Sequence, residues 1–165
     1  MKKILYMLLA SAVLAVSCTK DPIENTATVS MAGEWYVTVD AVDETGEVLY
    51  EDPYGMGPFI VSTFNTASNK ADEMYVFDNY NFWDFQVQVK ADPAKMTFAS
   101  DGMSPNLSYE SNVEITGGKI TVGGAETPSG MPADAIEFCV QFDDDDYGFI
   151  YKIHGFRYTG FVADE

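Results

Sequence analysis

Few side chains in this sequence could carry covalent chemistry, and their number limits what they could do. His154 is the one histidine, so a nucleophile–base–carboxylate relay would have to be built around it. No Gly-x-Ser-x-Gly turn presents a serine nucleophile. Cys139 lies in an apolar run, where an inert thiol is expected. One histidine and one cysteine fall short of the N and S donors a zinc site uses. Asp143 to Asp146 is the sharpest charge feature, and four consecutive carboxylates could ligate Ca²⁺ through their oxygens. The EF-hand order is not met, because Tyr147 and His154 stand where ligands are needed, so a solvated turn joining two strands is expected. Paired carboxylates could cleave a glycoside, but 26 acidic residues make such pairs inevitable and uninformative. No metal or cofactor is expected.

The second cysteine has a different context. Lys2 and Lys3 precede an apolar run from Ile4 to Val16, followed by Ser17 and Cys18. Basic residues, a short apolar segment and small residues form the layout of a secretory signal, and the run is shorter than the roughly 20 residues of a spanning helix. Leu14-Ala15-Val16-Ser17-Cys18 resembles the lipobox of bacterial lipoproteins, with Leu14 one place earlier than the usual branched residue. The resemblance implies that residues 1–17 are removed and that Cys18 carries the lipid. Acyl chains then anchor the protein to a membrane. The expected location is the bacterial cell envelope, lipid-anchored at the outer membrane on its periplasmic or surface face.

Loss of residues 1–17 would leave seven basic against 26 acidic residues, a charge of −19. Such a surface repels phosphate backbones, so no nucleic-acid partner is expected. Cys139 would be the sole remaining thiol, which rules out an intrachain disulfide. Nothing in the sequence specifies an oligomeric state.

Any chemistry must be positioned by strands. Residues 18–30 are polar, contain Pro22 and read as a tether. From there to the end, residues 31–165 form one domain. Trp35, Val37 and Val39 alternate with Tyr36, Thr38 and Asp40, as Trp83, Phe85, Val87 and Val89 do with Asp84, Gln86, Gln88 and Lys90. Ile136, Phe138, Val140 and Phe142 repeat the pattern. This period of two marks strands with one buried face. Further β-rich runs are Pro58 to Asn65, Glu73 to Asp78, Lys95 to Ser100 and Tyr109 to Thr116. Gly117-Gly118, between Val113-Glu114-Ile115 and Ile120-Thr121-Val122, predicts a two-residue hairpin. The whole predicts an all-β domain of about eight to ten antiparallel strands, a sandwich or a closed barrel.

Gly33-Glu34-Trp35 at the start of the first strand resembles the opening signature of the lipocalin and wider calycin barrels. With a lipobox, an acidic all-β body and the late Gly155-Phe156-Arg157-Tyr158-Thr159-Gly160, the chain resembles the bacterial lipoproteins called lipid-binding putative hydrolases over roughly Ala32 to Phe161. The resemblance implies a calycin-like (lipocalin-like) antiparallel barrel in which Gly33, Trp35 and Arg157 close one end, the guanidinium lying across the indole. No Thr-Asp-Tyr signature occurs at the lipocalin position, since Asp78-Asn79-Tyr80 comes too early.

Three readings of function follow. A barrel can hold a lipid or other small hydrophobic ligand, with Trp83, Phe85, Phe138, Phe142 and Tyr151 as inward-facing candidates to contact it. A filled barrel with an outer aromatic patch around Tyr75, Tyr80 and Trp83 would instead suit a cell-surface module gripping glycan or protein. A weak hydrolase requires His154 in a pocket with a Ser or Asp in reach.

Overall fold

In the computed structural model, residues 24–165 are described. Ten strands follow one another: β1 (Gly33–Val42), β2 (Val48–Glu51), β3 (Phe59–Asn65), β4 (Glu73–Phe77), β5 (Gln86–Asp92), β6 (Thr97–Ala99), β7 (Ser104–Pro105), β8 (Asn112–Glu126), β9 (Pro132–Phe142) and β10 (Ile150–Arg157). A single 3₁₀ turn, Val162–Asp164, comes after them. Eight strands close into an antiparallel barrel in the order β1-β3-β4-β5-β6-β8-β9-β10, with β10 returning to pair with β1. The two extra strands are satellites, β2 on β1 and β7 on β8.

The alternation of residue types becomes the wall. Trp35, Val37, Val39 and Ala41 of β1, Val87 and Val89 of β5, and Ile136, Phe138, Val140 and Phe142 of β9 all point inward and are buried. Met74, Val76, Ile115, Tyr151 and Ile153 join them in one contiguous cluster, so the barrel centre is packed side chain against side chain. Cys139 lies between two inward residues and therefore faces outward, half-buried. Partial burial pushes its thiol pKa up, which keeps it protonated.

The Gly117-Gly118 pair does not make a hairpin. β8 runs through it as one strand, and the register against β9 shifts between Thr116 and Lys119. Gly117 takes the left-handed φ of 63° that such a bulge needs. Gly118 lets the Phe98 ring lie where a Cβ would come within 2.4 Å of it. β5 also starts later than the alternation suggests. Asp84, at φ 48°, interrupts the extended chain and leaves Trp83 on the preceding loop. The Ala27–Met31 turn, at the end of the segment read as a tether, buries Thr28 and Met31.

Closure depends on a close crossing of β1 and β10. Val37 sits opposite Gly155, and a Cβ on Gly155 would fall 2.0 Å from the Tyr36 carbonyl oxygen. At Gly33 a Cβ would instead meet the Arg157 guanidinium, a flexible end that can swing away. Gly155→Ala is therefore expected to destabilise the fold by about 3 kcal/mol, through forced separation of two backbones. Gly33→Ala is expected to cost less, about 1–2 kcal/mol, because the guanidinium can swing away at the loss of its cation–π contact and its hydrogen bond to the Ala32 carbonyl. Urea unfolding of the two variants checks the order, and equal losses would contradict it.

Candidate functional site

The two ends of the barrel are built differently. At one end Arg157 lies over Trp35, its Cζ 4.3 Å from the ring centroid. Its Nη1 donates to the Ala32 carbonyl at 2.9 Å and its Nε to Asp134 Oδ2 at 3.1 Å. The Trp35 indole N–H donates to Thr63 Oγ1 at 2.8 Å, and the Thr63 hydroxyl donates to the Met31 carbonyl at 2.6 Å. Arg157 Nε and Nη1, the buried Trp35 indole and the Thr63 hydroxyl all have partners, so the end is closed by a hydrogen-bonded plug. Gly33 provides the room for the guanidinium.

The other end is covered by three loops, and each folds around one aspartate. Between β2 and β3, Asp52 accepts the N–H groups of Met56 and Gly57, both at 2.9 Å. Between β4 and β5, the buried Asp78 accepts those of Tyr80, Phe82, Trp83 and Phe85 at 2.9–3.1 Å. Between β9 and β10, Asp145 accepts the N–H groups of Tyr147 (3.0 Å) and Phe149 (2.9 Å) and the Tyr151 hydroxyl (2.9 Å). A short carboxylate bonding the chain just after it is the usual way aspartate organises a turn. Burial pushes the Asp78 carboxyl up from its ordinary value, against the pull of the Trp83, Phe82 and Tyr80 N–H groups. The tight loop holds Asn79, Tyr80 and Asp84 at φ 55°, 61° and 48°. For side chains with a Cβ, that conformation stores strain of about 1 kcal/mol or more each.

These loops bring aromatic rings over the barrel mouth. Trp83 stacks on Phe142 at 4.7 Å and 10°. Phe82 meets Tyr151 edge-on at 5.1 Å and lies along Phe59 at 6.0 Å. Tyr54 leans on Trp83 and Tyr151 and shares a hydroxyl contact of 2.7 Å with Tyr151. Desolvation and the Tyr54 and Asp145 contacts hold the Tyr151 phenol firmly protonated.

Four of the five inward candidates, Trp83, Phe85, Phe142 and Tyr151, thus come together at this mouth. Phe138 lies deeper, against Phe98 at 5.7 Å. Phe59, Tyr54, Phe82 and Phe149 also belong to the mouth, and period-two alternation does not single them out because most stand on loops. Asp52 and Asp78 carried one usable signal, an acid beginning a non-periodic stretch between two strands. Tyr75, Tyr80 and Trp83 do not form one patch: Tyr75 packs on Phe64, Tyr80 on Phe77, and Trp83 on the mouth. The Cys18 reading lies outside the described residues.

The acidic run divides its carboxylates among separate tasks. Asp143 accepts from the Asn112 backbone and side chain, and Asp144 from Trp83 Nε1 and the Tyr109 hydroxyl. Among the described residues no group of three His, Cys, Asp or Glu is placed to hold a metal ion. His154 sits on the outer wall in a shallow groove beside Glu137 and Phe156. Its Nε2 lies 2.9 Å from Asp40 Oδ2 and 3.5 Å from Thr38 Oγ1. A relay needs the carboxylate on one ring nitrogen and the hydroxyl on the other, whereas here both approach the same one.

A protein-family model described as lipid-binding putative hydrolase matches residues 20–162. No curated protein matches the chain.

Removal of the carboxylate at the centre of the largest mouth loop tests this architecture. Asp78→Ala leaves four N–H donors facing a void and is expected to lower unfolding free energy by at least ~3 kcal/mol. Asp144→Asn, at an exposed position, is expected to change it by less than ~1 kcal/mol. Chemical denaturation checks both, with Trp83 fluorescence reporting the loop.

Proposed function

Because the chain belongs to the lipid-binding putative hydrolase family, we propose that it binds the apolar chain of a lipid, or a similar small hydrophobic ligand, at the aromatic mouth of its barrel. The observation that carries this reading is the contrast between the ends. One is plugged by a hydrogen-bonded Arg157–Trp35 stack, and the other is roofed by rings on loops. Phe82 and Trp83 are only partly buried, so turning these two side chains aside would expose Phe142, Phe85 and Tyr151. Aromatic walls suit an acyl chain because they offer large apolar area with little side-chain entropy to lose. The packed centre supports a ligand held at the mouth over one in a deep cavity.

In the same reading Cys18 carries the lipid anchor, and the domain works at the membrane of the bacterial cell envelope. The polar segment after Cys18 lets it reach the bilayer from which a ligand would come.

The filled interior also favours a second reading, a non-catalytic surface module whose exposed rings grip a glycan or protein partner. Native mass spectrometry of the full chain after incubation with fatty acids and diacyl lipids separates the two. A one-to-one adduct is expected, and Trp83→Ala is expected to weaken it about tenfold, the equivalent of roughly 1.4 kcal/mol of lost apolar contact. No adduct with any lipid class would leave the surface-module reading standing. For the anchor, Cys18→Ser is expected to abolish incorporation of labelled fatty acid and to release the protein from membranes. Retained label would reject Cys18 as the acceptor.

A further inference from the structure

Beside the mouth runs an open groove of about 700 Å³ lined by Tyr50, Glu51, Asp52, Pro53, Tyr54, Tyr147 and Phe149. We propose that this groove seats a quaternary ammonium headgroup of the trimethylammonium type, so that the ligand is a cationic or zwitterionic amphiphile with its tail in the mouth. The second half of that statement rests on the lipid-binding reading above.

The walls are aromatic. Tyr147 lies parallel to Phe149 at 5.6 Å and 12°, and Tyr50 tilts against the same ring at 5.8 Å. Tyr147, Tyr50 and Tyr54 are 73%, 58% and 45% exposed, so ring surface remains open to a ligand. The charged lining is acidic: Glu51 presents a carboxylate, Asp52 adds a second whose oxygens also accept the Met56 and Gly57 N–H groups, and no Lys, Arg or His lines the groove. The negative faces of the rings attract a cation, and a methylated ammonium gives up little hydration on entering. The carboxylates add Coulomb attraction, and the chain's charge of −17 raises the local concentration of cations.

The same charges discriminate between headgroups. A fatty acid carboxylate would be repelled by Glu51 and Asp52. A sugar could stack on Tyr147 but would not benefit from the acidic lining. Continuity with the mouth is direct, since Tyr54 lines the groove and also packs on Trp83 and Tyr151. Phe149 likewise touches Tyr151. One amphiphile can therefore occupy both.

Calorimetric titration of the full chain with three amphiphiles of identical dodecyl tail, bearing trimethylammonium, neutral maltoside or sulfate, tests this. The trimethylammonium compound is expected to bind about tenfold tighter than the maltoside, the sulfate weakest, and the preference to shrink as salt screens the carboxylates. Tyr147→Ala and Glu51→Gln, both at exposed positions, are each expected to weaken the trimethylammonium compound roughly threefold or more, the Glu51 change leaving the maltoside unchanged and the Tyr147 change weakening it less than the trimethylammonium compound. Equal binding of all three would overturn the headgroup assignment and leave lipid binding intact. A maltoside preference sensitive to Tyr147→Ala would overturn it in favour of a glycan. Absence of binding by all three would overturn both readings.

Discussion

The pairing of β10 with β1 converts a ten-stranded sheet into a barrel, and the rest of the molecule depends on how closely those strands approach. Eight residue pairs run from Trp35–Arg157 to Val42–Ile150. The crossing is tight because Gly155 lets the Tyr36 carbonyl into the space a side chain would take. At one extreme of this seam the paired positions are Trp35 and Arg157, so the register that closes the barrel also delivers the guanidinium to the indole. At the other extreme it delivers Tyr151 to the mouth. A shift of one residue would turn both to the wrong face, since side chains alternate along a strand.

This seam makes the two ends unequal. The plugged end satisfies its polar atoms internally, from Asp134 through Arg157 and Trp35 to Thr63 and Met31. The mouth distributes its stability among three aspartates, each gathering backbone N–H groups and leaving the loop's rings to cover the barrel. The acidic character of the chain is therefore structural at Asp52, Asp78 and Asp145, beyond any effect on solubility.

Legibility in the sequence followed periodicity. β1 and β9 could be read from alternation alone, as could the inward direction of Phe85, Phe138 and Phe142. Gly117-Gly118 was misleading because a left-handed glycine serves a bulge as well as a hairpin, and the choice lies in whether β9 and β6 offer partners along the whole of β8. Trp83 continued an alternation that the backbone breaks at Asp84, since the Asp78 carboxylate claims the N–H groups on either side. Phe82, Tyr54 and Phe149 stand on loops, where no period applies.

The sequence by itself determined the class of fold, the inward side chains of the strands it could read and the family signature of Gly33, Trp35 and Arg157. The first two follow from local geometry, because a strand's period of two acts within a few residues, whereas the signature rests on a resemblance to known calycin barrels. Tertiary structure alone decided that the interior is packed, that the acidic run is shared among Asn112, Trp83, Tyr109 and Tyr151, and that Tyr50, Tyr54, Tyr147 and Phe149 face one groove. Those outcomes depend on which loops meet when the barrel closes, and that is set by the register of strands more than a hundred residues apart in the chain.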